Sequence, residues 1–90
     1  MEFEWDDTKR VKNIDRHGLD FLDSDILFGG PLMVSEAKTV AGERRVMATG
    51  LLDDVYVTAI YTMRGNIIRM ISLRRARDGE RKHYQDLYDR

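Results

Sequence analysis

Between Arg44 and Leu73 the chain runs three times through β-branched and aromatic residues, with only short breaks between the runs. The runs are Arg44 to Gly50, Val55 to Thr62 and Ile67 to Leu73; the breaks centre on Leu52-Asp53-Asp54 and Arg64-Gly65-Asn66. Side chains of these types pack well on a pleated surface, so each run reads as a strand. A parallel connection needs a dozen or more residues, which neither break supplies, so the strands must form an antiparallel meander. Thr58, Thr62, Arg69 and Ser72 spoil a clean alternation of apolar and polar residues. That pattern predicts a sheet covered on one face and partly used on the other.

The flanks read as helices. Asp6 or Asp7 can cap a helix over the charged stretch that follows, with Val11 and Ile14 as a thin apolar stripe and Gly18 after His17 as a left-handed stop. Asp20, with Asp23 three residues on, marks the start of a second short helix carrying Phe21, Leu22, Ile26, Leu27 and Phe28, which Gly29-Gly30-Pro31 ends. Leu32-Met33-Val34 reads as a short edge strand, and Asp78 as the cap of a terminal helix with Tyr84, Leu87 and Tyr88 on one side. Phe3 and Trp5 read as an anchor for the N-terminal segment. The expected fold is α+β: two N-terminal helices, an antiparallel sheet of three to four strands and a C-terminal helix, in one domain over residues 1–90. A chain of 90 residues is too short for a dinucleotide-binding domain or a TIM barrel.

The chain has no cysteine, which excludes a disulfide scaffold and thiolate chemistry, and His17 and His83 alone make no zinc site. We expect no metal and no cofactor. The opening Met1-Glu2-Phe3-Glu4 is unlike a signal peptide and no run matches a membrane span, which fits the cytoplasm. The net charge of −1 hides an asymmetry: residues 1–60 carry seven Lys/Arg against twelve Asp/Glu, and residues 61–90 carry eight against four. Seven arginines lie between Arg64 and Arg90. Arginine's fixed fork of donors matches phosphate geometry, so RNA or DNA is one reading of this segment. The other is a solvated helix face and strand end paired with Asp78, Glu80, Asp86 and Asp89. The carboxylate pairs Asp6-Asp7, Asp23/Asp25 and Asp53-Asp54 read as caps and turns.

The order of residues adds a resemblance. Phe3-Glu4-Trp5-Asp6, Lys9, Asn13, His17-Gly18 and Phe21, then Glu43-Arg44, Gly50, Tyr61-Thr62 and Arg64, followed by Ile68-Arg69, Ile71-Ser72, Arg74, Ala76, Glu80-Arg81 and Tyr84, resemble the BrnT family across residues 3–84. The chain departs from that pattern at Arg45, where an aromatic residue commonly stands, at Arg77-Asp78-Gly79 and at Ser24-Asp25. The resemblance implies a RelE-like fold and a toxin of a type II toxin–antitoxin pair that cleaves RNA and inhibits translation. It implies as partner a BrnA-like ribbon-helix-helix antitoxin, through which the complex reaches operator DNA, with two toxin copies in that complex. The family pattern falls on Lys9, His17, Arg64, Arg69, Arg74, Glu80 and Tyr84.

The resulting expectation is a metal-independent endoribonuclease in which the substrate's 2′-hydroxyl attacks the adjacent phosphate. Arg64, Arg69 and Arg74 are the candidates for transition-state charge, and His17, Glu80, His83 and Tyr84 for proton transfer. Lys9, His17, Tyr61, Arg75, Arg77, Arg81 and Lys82 are candidate RNA contacts. His17 also reads as a helix-end residue, Tyr61 as core, and Glu80 as the partner of an arginine across the sheet–helix junction. The alternative is a catalytically weak subunit that acts in the repressor complex, favoured by the acidic excess of residues 1–60.

Overall fold

The computed structural model describes residues 1–88, so Asp89 and Arg90, counted above among the C-terminal charges, lie outside the described residues. In chain order the elements are β1 (Glu2–Glu4), α1 (Asp7–His17), a 3-10 turn (Phe21–Asp23), α2 (Ser24–Phe28), β2 (Met33–Glu36), β3 (Val46–Leu52), β4 (Val55–Arg64), β5 (Ile67–Arg75) and α3 (Asp78–Tyr88). The fold is α+β, and the meander forms as the short connections require: β3, β4 and β5 pair antiparallel in succession. Its strands run longer than their apolar cores, so the turns shrink to Asp53-Asp54 and Gly65-Asn66.

Two further strands complete a five-stranded sheet in the order β1-β5-β4-β3-β2. β2 is the expected edge strand, antiparallel to β3. β1 pairs parallel to β5, with Phe3 opposite Ile68. The anchoring role read for Phe3 is therefore carried out by a strand, and Trp5, just beyond it, packs on Phe21 with ring centres 6.1 Å apart. Three residues are too few to show a strand pattern in sequence; the free edge of β5 and the Phe3 ring, 5.4 Å from that of Phe28, hold it in place.

One face of the sheet is the core. Ala48 and Leu52 of β3, Val57, Ala59 and Tyr61 of β4, and Ile68, Met70 and Leu73 of β5 are buried there beneath Phe21 and Leu27. The pairs Tyr61↔Met70 and Ile60↔Ser72 leave Ile71 as an extra residue, a bulge. The bulge shifts the alternation by one, so Met70 and Leu73, three apart, both reach the core. Gly50 lets the α2–β2 connection close over this face: a Cβ there would lie 2.9 Å from both Leu27 Cδ1 and Leu32 Cδ2. The second expected helix is split into the 3-10 turn and α2. Asp20 accepts from Leu22 N–H as a cap, whereas Asp23 makes no capping bond and Ser24 Oγ instead donates to Phe21 O.

α1 is tied to the sheet by one carboxamide. β1 covers β5 only as far as Arg69, which leaves Leu73 on an open edge. The buried Asn13 fills it: Oδ1 accepts from Leu73 N–H at 3.0 Å, and Nδ2 donates to Leu73 O and Leu19 O, both at 2.9 Å. The side chain thus makes the pair of bonds a neighbouring strand would have made. Arg10 adds a two-point ion pair to Asp20 at 2.7 and 2.8 Å. Asp6 caps the start of α1 by accepting from Thr8 and Lys9 N–H, which holds its carboxyl below the usual range. Gly18 ends it at φ 68°. No helix among the described residues is long and apolar enough to cross a membrane.

Asn13→Ala leaves the N–H and C=O of Leu73 unpaired, and we expect a loss of about 2–4 kcal/mol in unfolding free energy by urea titration. Asn13→Asp is expected to be no better, because it places an acceptor against two carbonyl oxygens.

Candidate functional site

The second face of the sheet is polar and only partly covered. Register and alternation put Arg45, Met47 and Thr49 on it from the β3 side, Tyr56, Thr58, Ile60 and Thr62 from β4, and Arg69, Ser72 and Arg74 from β5. α3 closes one end. There Glu80 receives Arg74 through two bonds of 2.8 and 2.9 Å, Thr58 Oγ1 at 3.0 Å and Arg77 N–H at 2.9 Å. The last bond is the reciprocal half of a capping box at the start of α3. These donors, the guanidinium first, pull the Glu80 carboxyl down to about 2 from its ordinary 4.5, against a smaller opposing effect of burial. Tyr84 is buried next to this end, its ring 5.7 Å from Tyr56 and its hydroxyl donating to Pro31 O at 3.3 Å.

The rest of the face stays open and, with α1, forms a groove of about 620 Å³. Ile71 and Ser72 contribute to its floor, and α1 lines it with Lys9, Lys12, Asn13, Asp15, Arg16 and His17. Lys9, Lys12 and Arg16 stand at i, i+3 and i+7, the spacing of one helical face. Asn13 lies within the same stripe, so the bond that holds α1 to β5 also aims these cations at the groove. His17 is the last residue of α1, positioned by the left-handed turn at Gly18. Arg45 enters from the β3 side. Lys9, Lys12, Arg16 and Arg45 have no acidic partner among the described residues.

Of the residues singled out from sequence, the groove brings together Lys9 and His17. Arg64 lies 3.6 Å from Glu43, beside a separate hollow formed with Met1 and Glu2. Arg69 is ion-paired to Glu4. Arg74, Glu80 and Tyr84 belong to the closed end under α3. Arg75, Arg77, Arg81, Lys82 and His83 are exposed, and Arg81 reaches Asp78 at 3.5 Å. Tyr61 is in the core, 5.2 Å from Phe28 ring to ring, and burial pushes its hydroxyl's pKa up. Lys12, Arg16 and Arg45 were missed. The helical spacing from Lys9 to Arg16 carries the signal for the first two; Arg45 stands out in sequence only as a departure from the family pattern.

An open basic groove with an imidazole at its rim can hold a phosphate and move a proton beside it. The described residues contain no group of three or more His, Cys, Asp or Glu that could hold a metal ion. The sequence profile described as the ribonuclease toxin, BrnT, of type II toxin–antitoxin system matches residues 5–80. No curated protein sequence matches the chain.

The depressed Glu80 carboxyl fixes the sign of a pH effect. Its contribution to stability is complete above about pH 4.5 and fades as the pH falls toward 2. Glu80→Gln should cost about 1–3 kcal/mol at pH 7, because it removes a largely buried ion pair. It should also flatten the acid limb of stability against pH, leaving the part due to Asp20, which Arg10 likewise holds at about 2. Urea titrations from pH 2 to 7 measure both effects.

Proposed function

The chain belongs to the BrnT family of ribonuclease toxins of type II toxin–antitoxin systems, and from that premise we propose that it cleaves RNA in the groove between α1 and the open face of the sheet. The observation that carries this reading is the gathering around a single groove of one imidazole and four cations that have no acidic partner among the described residues. A phosphodiester lying there accepts hydrogen bonds from Lys9, Lys12 and Arg16. The adjacent 2′-hydroxyl gives up its proton and its oxygen bonds to phosphorus. The P–O5′ bond breaks, and the 5′-oxygen takes a proton. The products are a 2′,3′-cyclic phosphate and a free 5′-hydroxyl, and no protein nucleophile or metal-bound water is required.

The chain's part in this reaction is to align the phosphate, stabilise the charge that builds on its oxygens and supply proton transfer. Charge stabilisation falls to the α1 cations. Proton transfer falls to His17, whose imidazole is the one among the described residues lining the groove and can both accept and donate a proton. Arg69 shares the open face and can support a substrate phosphate while Glu4 orients it. Arg74 and Glu80 act at one remove, by setting the end of the groove and the start of α3. RNA cleavage inhibits translation, and a BrnA-like ribbon-helix-helix antitoxin opposes it. Since such antitoxins dimerise, the complex holds two toxin copies and reaches DNA through the antitoxin.

Purified chain incubated with RNA in EDTA should yield fragments with cyclic-phosphate ends, and RNA carrying 2′-O-methyl groups throughout should stay intact. His17→Ala should lower the cleavage rate by about 10²-fold or more with the thermal midpoint little changed. Wild-type cleavage by this variant would contradict the assignment of His17.

A further inference from the structure

We infer that Arg45 is a second phosphodiester clamp, on the wall of the groove opposite α1, which holds a backbone phosphate other than the one at the scissile bond. The inference rests on the RNA-cleaving reading above and extends it to the length of RNA the site engages.

Arg45 differs from the arginines around it. Arg44 is exposed and bound to Glu36, Arg64 lies by Glu43, and Arg69 is bound to Glu4. Arg45 has no such partner among the described residues, and its Nε is shielded from solvent with no hydrogen bond. A shielded N–H without an acceptor costs free energy unless a ligand supplies one. A guanidinium fork suits the paired oxygens of a phosphate. Position points the same way. Arg45 lines the main groove together with α1, and also a neighbouring hollow of about 390 Å³ that contains Thr62 and Met63. It therefore stands where the two meet, the place a strand of RNA passes on leaving the groove. The carboxylates in the second hollow, Glu36 and Glu43, are each matched by an arginine and do not bar an anion.

On the α1 wall, Lys9 to Arg16 spans about 10 Å of helix, enough to seat the phosphate at the reacting bond without Arg45. The ligand class is a single-stranded RNA segment with at least two consecutive phosphodiesters.

The test is binding of a 2′-O-methyl RNA tetranucleotide across a range of salt, with a dinucleoside monophosphate as the short probe. Arg45→Gln should weaken tetranucleotide binding about tenfold and reduce the slope of log K against log salt by about 0.7, the loss of one phosphate contact on a single strand. Arg45→Lys should keep the slope while recovering only part of the affinity, which separates the lost charge from a disturbed fold. Lys38→Gln, the same charge change at an exposed position that lines neither hollow, should alter neither. Binding of the short probe should be the same for wild type and Arg45→Gln. Equal slopes for wild type and Arg45→Gln overturn the clamp, and so does an equal loss in the Lys38 and Arg45 variants. Weakened binding of the short probe moves Arg45 to the scissile phosphate and also overturns it. If wild type cleaves RNA while these results go against Arg45, the clamp alone falls; if wild type neither binds nor cuts RNA, the function falls with it.

Discussion

The placement of the site depends on the carboxamide of Asn13. A five-stranded sheet with a three-residue first strand leaves the later part of β5 without a partner on one side. Exposed strand edges are a hazard, usually met by covering them or making them polar. Here the cover is a helix, and the contact is a side chain that reproduces both bonds of a strand ladder at Leu73. Because Asn13 sits among Lys9, Lys12 and Arg16 on α1, the bond that closes the edge also points those cations over the open face. Structure and candidate chemistry therefore share one point of attachment.

The second organising feature is the way charge is distributed. By sequence, the first 60 residues are acidic and the last 30 basic. In three dimensions much of that contrast is consumed internally: Glu4 takes Arg69 and Glu43 takes Arg64, so acids of the first part neutralise arginines of the last. Glu80 takes Arg74 within the C-terminal part, and Asp20 takes Arg10 within the first. The groove cations without an acidic partner among the described residues, Lys9, Lys12, Arg16 and Arg45, come from the part of the chain whose net charge is negative. A count along the chain cannot show this, because pairing is decided by the sheet's register.

The fold was legible where its cause was local. Two short turns dictate antiparallel pairing, and Asp6, Asp20 and Gly18 announce the helix ends they form. β1 was hidden because its stability comes from Phe28 and the β5 edge, both distant in sequence. The bulge at Ile71 was hidden for a similar reason: it is a mismatch between β4 and β5 that neither strand reveals alone. The site was legible in part. Lys9 and His17 are among the residues the sequence singles out, and Glu80 reads as the partner of an arginine across the sheet–helix junction, where it meets Arg74. Arginine density directed attention to residues 64–82, yet density does not distinguish a guanidinium held by a carboxylate from one left to meet a ligand. That distinction separates Arg74, closed on Glu80, from Arg45.

The central claim is that RNA lies in the groove walled by α1 and Arg45. Backbone amide chemical shifts, followed while a 2′-O-methyl RNA tetranucleotide is added, test it most directly. The account predicts shifts concentrated at Lys9 to His17, Arg45 and Ile71-Ser72, with the exposed residues Arg81 to His83 of α3 unmoved. Shifts concentrated on Arg75 to His83, with α1 silent, would place the RNA on the basic C-terminal surface and contradict the account.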